Sequence, residues 1–428
     1  WVKEGAGDAL SASWHCLCSR IASCDSVRRA ALVVLLFLHA ALAIMASTML
    51  DAVPHVAESQ GPYRIAELLA HGMLSLPAES AHQLRAVGIA DLIVHHEHYI
   101  YPFGHLWPIL LLPFMALGLP AAANIMCSLL NVVLVYLIGR REFGVGPALI
   151  AATVFGLSPL TVLLAGEYLP APATLLMLLI SCFTLSYSAS RGRAAWCLLA
   201  GAAYLYAYGL RQHAAVAALP VVLALLLRTQ GGSSRLSHLG YFALGAAPIA
   251  MLHLLDNYFV TGSYLLSPDA AYRNLGMRLS NLTVGVNYAD STLAFFIQMI
   301  CSVPGIFIPF GFASYGLLSR FGVRAGMVGL TIVSFSGAHF FLSVHGLHAY
   351  GPRFLYEALA PMSLLIGCGA FELLRRLGGP SRKILGAAVL VFLIAANVIR
   401  VLSILPRYEG YNGVRGASFI AQSKWLPK

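Results

Sequence analysis

Charge is what this chain has least of. Of its 428 residues only 10% are Asp, Glu, Lys or Arg, whereas 59% are hydrophobic and the mean hydropathy is +0.78. A soluble domain needs roughly 25% charged residues to cover its surface. A soluble enzyme, a disordered chain and a nucleic-acid binder are therefore excluded. Cysteine is sparse as well: eight residues, three near the N-terminus (Cys16, Cys18, Cys24) and five inside apolar runs. Their spacing fits no disulfide framework or metal cluster, and they read as small buried hydrophobes. No internal repeat is visible, so the paired halves of many transporters are missing too.

What remains is apolar sequence in lengths that suit a bilayer. A span needs about 20 mostly apolar residues, and runs of that kind fall at 30–50, 120–139, 145–166, 170–188, 194–210, 212–228, 237–256, 292–316, 325–346, 354–373 and 384–404. Residues 103–119 are apolar too, but Pro102, Pro108, Pro113 and Pro120 interrupt them, and proline disfavours a straight helix. Lys and Arg collect in cytoplasmic loops. If 103–119 does not cross, sixteen of the 27 basic residues lie inside; if it crosses, the clusters at 140–141, 191–193, 320–324 and 375–383 all turn outward. The reading is thus an all-α polytopic membrane protein with about eleven spans and a re-entrant or interfacial 103–119. Residues 1–29 form a cytoplasmic segment with no clear signal peptide, and 30–50 reads as a signal anchor. A membrane domain covers 30–404, with long outer loops at 51–102 and 257–290, and 405–428 is an outer tail. Within the first loop, 62–72 and 80–95 suit short helices along the interface.

On this topology twelve of the 17 acidic residues face outward, with most histidines. Carboxylates and imidazoles are the usual proton-handling groups, so chemistry is expected on the outer face. Arg211 lies between two short apolar runs where basic residues are scarce; it is either the partner of an anionic ligand or a snorkelling anchor. Glu167 follows the 145–166 run, as a site carboxylate or a solvated hairpin tip. Asp51 ends the first run and Glu58 lies in the loop after it; either could take a proton from an attacking hydroxyl, or simply cap or solvate. Arg353 could hold a phosphate through paired donors, or pair with Glu357 one helical turn on. His95-His96-Glu97-His98 lacks the spacing that puts two imidazoles on one helix face, so no metal site is assigned. Asn124, Asn131 and His339, polar within spans, could line a transport path or bond between helices.

Several stretches together resemble the GT-C glycosyltransferases that use polyprenyl-phosphate sugars, a group including protein O-mannosyltransferases and the lipid A aminoarabinose transferase. They are Pro54-His55-Val56-Ala57-Glu58 followed by Tyr63, then Tyr101-Pro102-Phe103-Gly104-His105 with Pro108, and Leu157-Ser158-Pro159 with Glu167. Leu210-Arg211, Asp256-Asn257-Tyr258 and Tyr350-Gly351-Pro352-Arg353-Phe354-Leu355-Tyr356-Glu357 complete the series, over roughly 30–375. Relatives often carry adjacent acids in the first loop; here Glu58 stands alone as the nearest match, with Asp51 as fallback. The resemblance implies a transferase that moves a sugar from a polyprenyl-phosphate donor to the hydroxyl of a glycan, lipid or protein acceptor. Glu58 or Asp51 would be catalytic, and Glu167, Arg211, Arg353, Tyr63, Tyr101, His105 and Asn257 would bind substrate. It fixes no cofactor, leaves a divalent metal open, and implies a bacterial inner membrane with the site facing the periplasm or exterior. The competing readings are a lipid-linked-sugar flippase and a non-catalytic relative.

Overall fold

The computed structural model describes residues 25–50, 54, 57–73, 93–95, 98–100, 104–191, 194–227, 235–268, 308–340, 347–348, 351–377 and 379–404. The chain opens with α1 (Asp25–Met49) and α2 (Ala57–Ala70), then a small hairpin of β1 (Ile93–His95) and β2 (His98–Ile100). Six helices follow: α3 (Leu106–Ala116), α4 (Ala122–Glu142), α5 (Val145–Gly156), α6 (Pro159–Gly166), α7 (Ala171–Arg191) and α8 (Ala194–Leu210). After them come α9 (Gln212–Leu227), α10 (Arg235–Thr261), α11 (Ile308–Leu317) and α12 (Gly322–Phe340). A second hairpin, β3 (Leu347–His348) and β4 (Gly351–Pro352), leads through a 3-10 turn (Arg353–Ala358) into α13 (Leu359–Arg376) and α14 (Pro380–Ile404).

Among the described residues six helices are long and apolar enough to cross a membrane, and a seventh span results if α5 and α6 are taken together. Three shorter apolar helices, α3, α8 and α9, accompany them. The run at 145–166, expected as one span, is bent by 55° between α5 and α6. Ser158-Pro159 is the cause: Pro159 occupies the first turn of α6, where its missing N–H costs nothing but the preceding helix cannot continue through it. The segment at 103–119 contains only the 11-residue α3, about 16 Å long and too short to cross. Of the two expected interface helices, one forms as α2; the other falls largely outside the described residues, and its end at 93–95 pairs as a strand instead. Helix α10 runs on to Thr261, so Asn257 sits on a helix and not in the loop expected from 257 onward.

The core lies where α4, α5, α7 and α13 meet, with α1 and α6 against it. Lipid tails are as apolar as Leu, so helices in a membrane associate through close packing of small residues and through polar links. Both devices are present. All eight residues of α6 are buried, and a Cβ on Gly166 would stand 2.8 Å from the Ser47 backbone nitrogen of α1. His39 on α1 joins the Gly156 carbonyl through Nδ1 (2.6 Å) and Ser128 Oγ through Nε2 (2.9 Å), linking three helices. Lipid-facing residues such as Phe37, Leu244, Met251 and Phe392 are exposed, as an outer face without water requires.

Candidate functional site

Helix α2, the α6–α7 junction, the α8–α9 junction, the C-terminal part of α10 and the 3-10 turn come together at one end of the bundle. At the centre is the extended stretch Glu167–Leu169. Three successive carbonyls there have no helix to bond to, and buried backbone groups need partners. Asn124 Nδ2 on α4 serves two of them, Glu167 O at 2.5 Å and Leu169 O at 2.8 Å; the Trp107 indole N–H of α3 serves the third, Tyr168 O, at 2.8 Å. Asn131 donates to Pro172 O at 2.8 Å, at the second residue of α7. Asn124 and Asn131 thus bond between elements and fix the elbow. The carboxylate of Glu167 is buried at 1% exposure, so it is no solvated hairpin tip.

Helix α2 closes over this elbow. Its Tyr63 ring meets the Tyr168 ring edge to face, centroids 5.1 Å apart. Burial, and then the neighbouring Glu67 carboxylate, push the Tyr63 phenol up against the opposing effect of Arg64; burial first, then Tyr63 and Glu167, does the same to Tyr168. Both rings stay neutral near pH 7. Glu58 lies in the first turn of the same helix, five residues before Tyr63; its side chain lies outside the described residues. Asp51 and Tyr101 fall outside them altogether, and Arg353 opens the 3-10 turn by its backbone alone.

Arg211 stands at the junction of α8 and α9, where the Tyr204 hydroxyl donates to the Ala215 carbonyl across the break (2.9 Å). Its guanidinium donates to Glu357 Oε1 at 2.5 Å, 146 residues away in the chain, with the two side chains 9% and 0% exposed. The expected alternative pairing of Glu357 with Arg353 lies outside the described side chains; the partner found is Arg211, at the junction of two other helices. This pair joins the elbow through Tyr356, whose ring packs 6.2 Å from Phe155 and whose hydroxyl lies by Ser128 and Asn131. His105, at the start of α3, meets Asp256 of α10 at 2.5 Å. Ala66 of α2, Trp107 and Leu111 of α3, Ala123 of α4 and Ala173 of α7 are buried together, with Leu210 packed on them. One apolar floor therefore underlies the Glu58 helix, His105, the elbow and Arg211.

Asn257 has a structural bond: its amide donates to Tyr264 O at 3.1 Å, tying the end of α10 to the turn beyond it. Asp256, Glu357 and Asn124 were not singled out as site residues from the sequence. The signal for two of them was present, because a carboxylate within or beside an apolar run needs a partner. Among the described residues no three His, Cys, Asp or Glu side chains gather closely enough to hold a metal ion. Chemically, this end offers an acid on a rigid elbow, a buried guanidinium, and an imidazole facing a carboxylate, all beside a helix that carries a further acid.

Comparison with known proteins agrees with this architecture. The family model "Dolichyl-phosphate-mannose-protein mannosyltransferase" matches residues 120–255, from the start of α4 to the residue before Asp256. No curated protein matches the sequence. Among solved structures, ArnT from Cupriavidus metallidurans bound to undecaprenyl phosphate superposes with a TM-score of 0.53 at 14% identity, covering 91% of this chain and 75% of ArnT. The archaeal oligosaccharyltransferase AglB from Archaeoglobus fulgidus, in complex with an inhibitory peptide and a dolichol-phosphate, superposes with a TM-score of 0.54 at 13% identity over 91% of this chain. The chain spans 60% of the length of AglB. At such identities the likeness is one of fold, and the fold is GT-C.

Proposed function

We propose that this protein is a membrane glycosyltransferase that moves a hexosyl or pentosyl group from a polyprenyl-phosphate donor to the hydroxyl of a glycan, lipid or protein acceptor. The observation that carries this reading is the gathering of Glu167, the Arg211–Glu357 pair and the His105–Asp256 pair around one apolar floor, next to the helix that bears Glu58. The fold it shares with proteins solved with undecaprenyl phosphate and dolichol-phosphate supports the choice of donor.

In this mechanism the isoprenoid tail lies in the bilayer and the sugar phosphate reaches the elbow end. Glu58, with Asp51 as fallback, deprotonates or orients the acceptor hydroxyl, whose oxygen attacks the anomeric carbon. The bond from that carbon to the phosphate oxygen breaks, and its electron pair leaves with the lipid phosphate. Arg211 and Arg353 stabilise the developing charge, which preorganised donors in a water-poor site do best. Glu167, held still by its neighbours' bonds, orients the acceptor or an arginine. Tyr63, Tyr101 and His105 shape the substrate cavity, and Asn257 supports the wall formed by α10. Residues 30–404 form the transferase domain, with long outer loops at 51–102 and 257–290, 1–29 on the cytoplasmic side and 405–428 outside. A bacterial inner membrane, with the site facing the periplasm, is the proposed location.

The test uses purified protein in detergent with a panel of farnesyl-phosphate sugars, reading release of farnesyl phosphate. Turnover of at least one donor, lost in Glu58→Gln, is expected. A protein that neither turns over any member of the panel nor binds farnesyl phosphate has another function.

A further inference from the structure

Among the described residues, His105 at the elbow end has a ring locked through one nitrogen and unpartnered at the other. Its side chain is 9% exposed. Nδ1 faces Asp256 Oδ1 at 2.5 Å, and the His105 backbone N–H donates to Oδ2 of the same carboxylate at 3.0 Å. The Phe259 ring stands edge-on to the imidazole, centroids 5.7 Å apart. Gly104 permits this: a Cβ there would press to 3.1 Å from Asp256 Oδ2. A carboxylate only accepts, so Nδ1 carries the proton of this bond, and exchange with anything else must pass through Nε2. Nε2 is buried and has no hydrogen-bond partner among the described residues. A buried polar atom in that state calls for an explanation, and a group from outside the chain is one.

The position of the ring says which group. Tyr206 donates to the Leu106 carbonyl at 2.7 Å, which clamps the start of α3 onto the last turn of α8, just before Arg211. The next residue, Trp107, is bonded to the elbow carbonyl beside Glu167. His105 therefore immediately precedes two residues that are bonded, one to α8 five residues before Arg211 and one to the elbow. The charge of Arg211 is already matched by Glu357 at 2.5 Å, so a singly charged phosphodiester arriving there, which gains a second charge as its sugar leaves, needs a further donor.

We propose that His105 supplies it: Nε2–H donates to a phosphate oxygen of the lipid-linked substrate, and Asp256 is the positioning residue that aims the ring. This rests on the transferase reading above. The protonated ring donates from both nitrogens, to Asp256 and to the phosphate, so the His105–Asp256 pair is itself neutral when the anion is bound. During transfer the anomeric carbon–oxygen bond breaks, the electron pair stays on the phosphate oxygen, and the Nε2–H bond to the phosphate strengthens. The proton of the acceptor hydroxyl goes separately to the first-loop carboxylate.

The experiment measures binding of farnesyl phosphate, farnesol and inorganic phosphate to the intact chain in detergent micelles, by calorimetry. His105→Leu should weaken farnesyl phosphate about tenfold or more, the scale of a lost charge-assisted hydrogen bond, and leave farnesol unchanged. His105→Gln, which keeps an N–H at the end of its side chain, should recover part of the loss, and Asp256→Asn should fall between wild type and His105→Leu. If the leucine variant keeps the wild-type preference for farnesyl phosphate over farnesol, or loses both ligands equally, His105 is not a phosphate ligand. A wild-type protein that does not distinguish the two lipids would sink the donor reading along with this one. Inorganic phosphate binding as tightly as farnesyl phosphate, and weakened alike by His105→Leu, would support the contact while removing the lipid carrier.

Discussion

At one end of the bundle Glu372 gathers Arg320, Arg375 and Arg376, whose side chains are 51–57% exposed. Arg324, also 52% exposed, reaches Glu142 across from α12 to α4. At the opposite end Arg211 and Glu357 are 9% and 0% exposed, and His105 and Asp256 are both 9% exposed. The same residue types are thus held in two different ways. At the first end half-exposed arginines at or near helix termini converge on a Glu372 carboxylate that is itself 0% exposed; three solvated cations share one buried acid, so any single arginine contributes little. At the second the charges are locked between distant segments and cut off from water. A buried pair is weak evidence for stability, because desolvation offsets most of its attraction. The second arrangement suits preorganisation, donors fixed in place before a ligand arrives, and the first suits a boundary with water.

The contrast can be tested by removing one member at a time. The largest effect is expected for Glu58→Gln, with transfer falling about 10²–10⁴-fold, the usual share of a general base, and the helical circular-dichroism spectrum unchanged. Unaltered turnover would take Glu58 out of the mechanism and promote Asp51. Arg211→Ala comes next, because it leaves the Glu357 carboxylate buried without its cation. A loss of about 3–5 kcal/mol is expected, seen as an earlier thermal unfolding in detergent, together with weaker farnesyl phosphate binding. If midpoint and affinity both hold, this pair is no different from those at the exposed end. Asn124→Ala should cost about 1–3 kcal/mol by stripping the Glu167 and Leu169 carbonyls of their donor, and turnover should drop as the elbow loosens. Arg375→Ala should be smallest, leaving both the unfolding midpoint and transfer at wild-type values. A marked loss of transfer in that variant would end the division between the two ends.

Much of the fold was legible because a membrane span is written in one dimension. The runs at 30–50, 120–139, 170–188 and 237–256 recur as α1, α4, α7 and α10 with ends shifted by a few residues. The bend between α5 and α6 was legible in Ser158-Pro159 but was outweighed by the unbroken hydropathy around it. Pairing between distant segments was not legible at all. Arg211 and Glu357 are 146 residues apart and His105 and Asp256 are 151 apart, and nothing in local spacing selects those partners. Glu357 had a nearer arginine in sequence, Arg353, whose side chain lies outside the described residues, and proximity along the chain gave no hint of Arg211. Glu167 was visible as an acid at the end of an apolar run. That it would be buried depended on Asn124 and Trp107, which arrive from two other helices to bond its carbonyl and that of Tyr168.

Helices α3, α8 and α9 have 11, 17 and 16 residues. At 1.5 Å per residue even the longer two extend only about 25 Å, short of the ~30 Å hydrocarbon core. Their exposed side chains, among them Ile109, Leu199, Val216 and Leu223, meet lipid directly. The annulus beside them must therefore pinch inward by several ångströms, and the headgroup layer dips on that flank. An amphiphile diffusing in the bilayer finds its lowest polar shelf against these three helices, so membranes built from longer acyl chains would make that approach steeper.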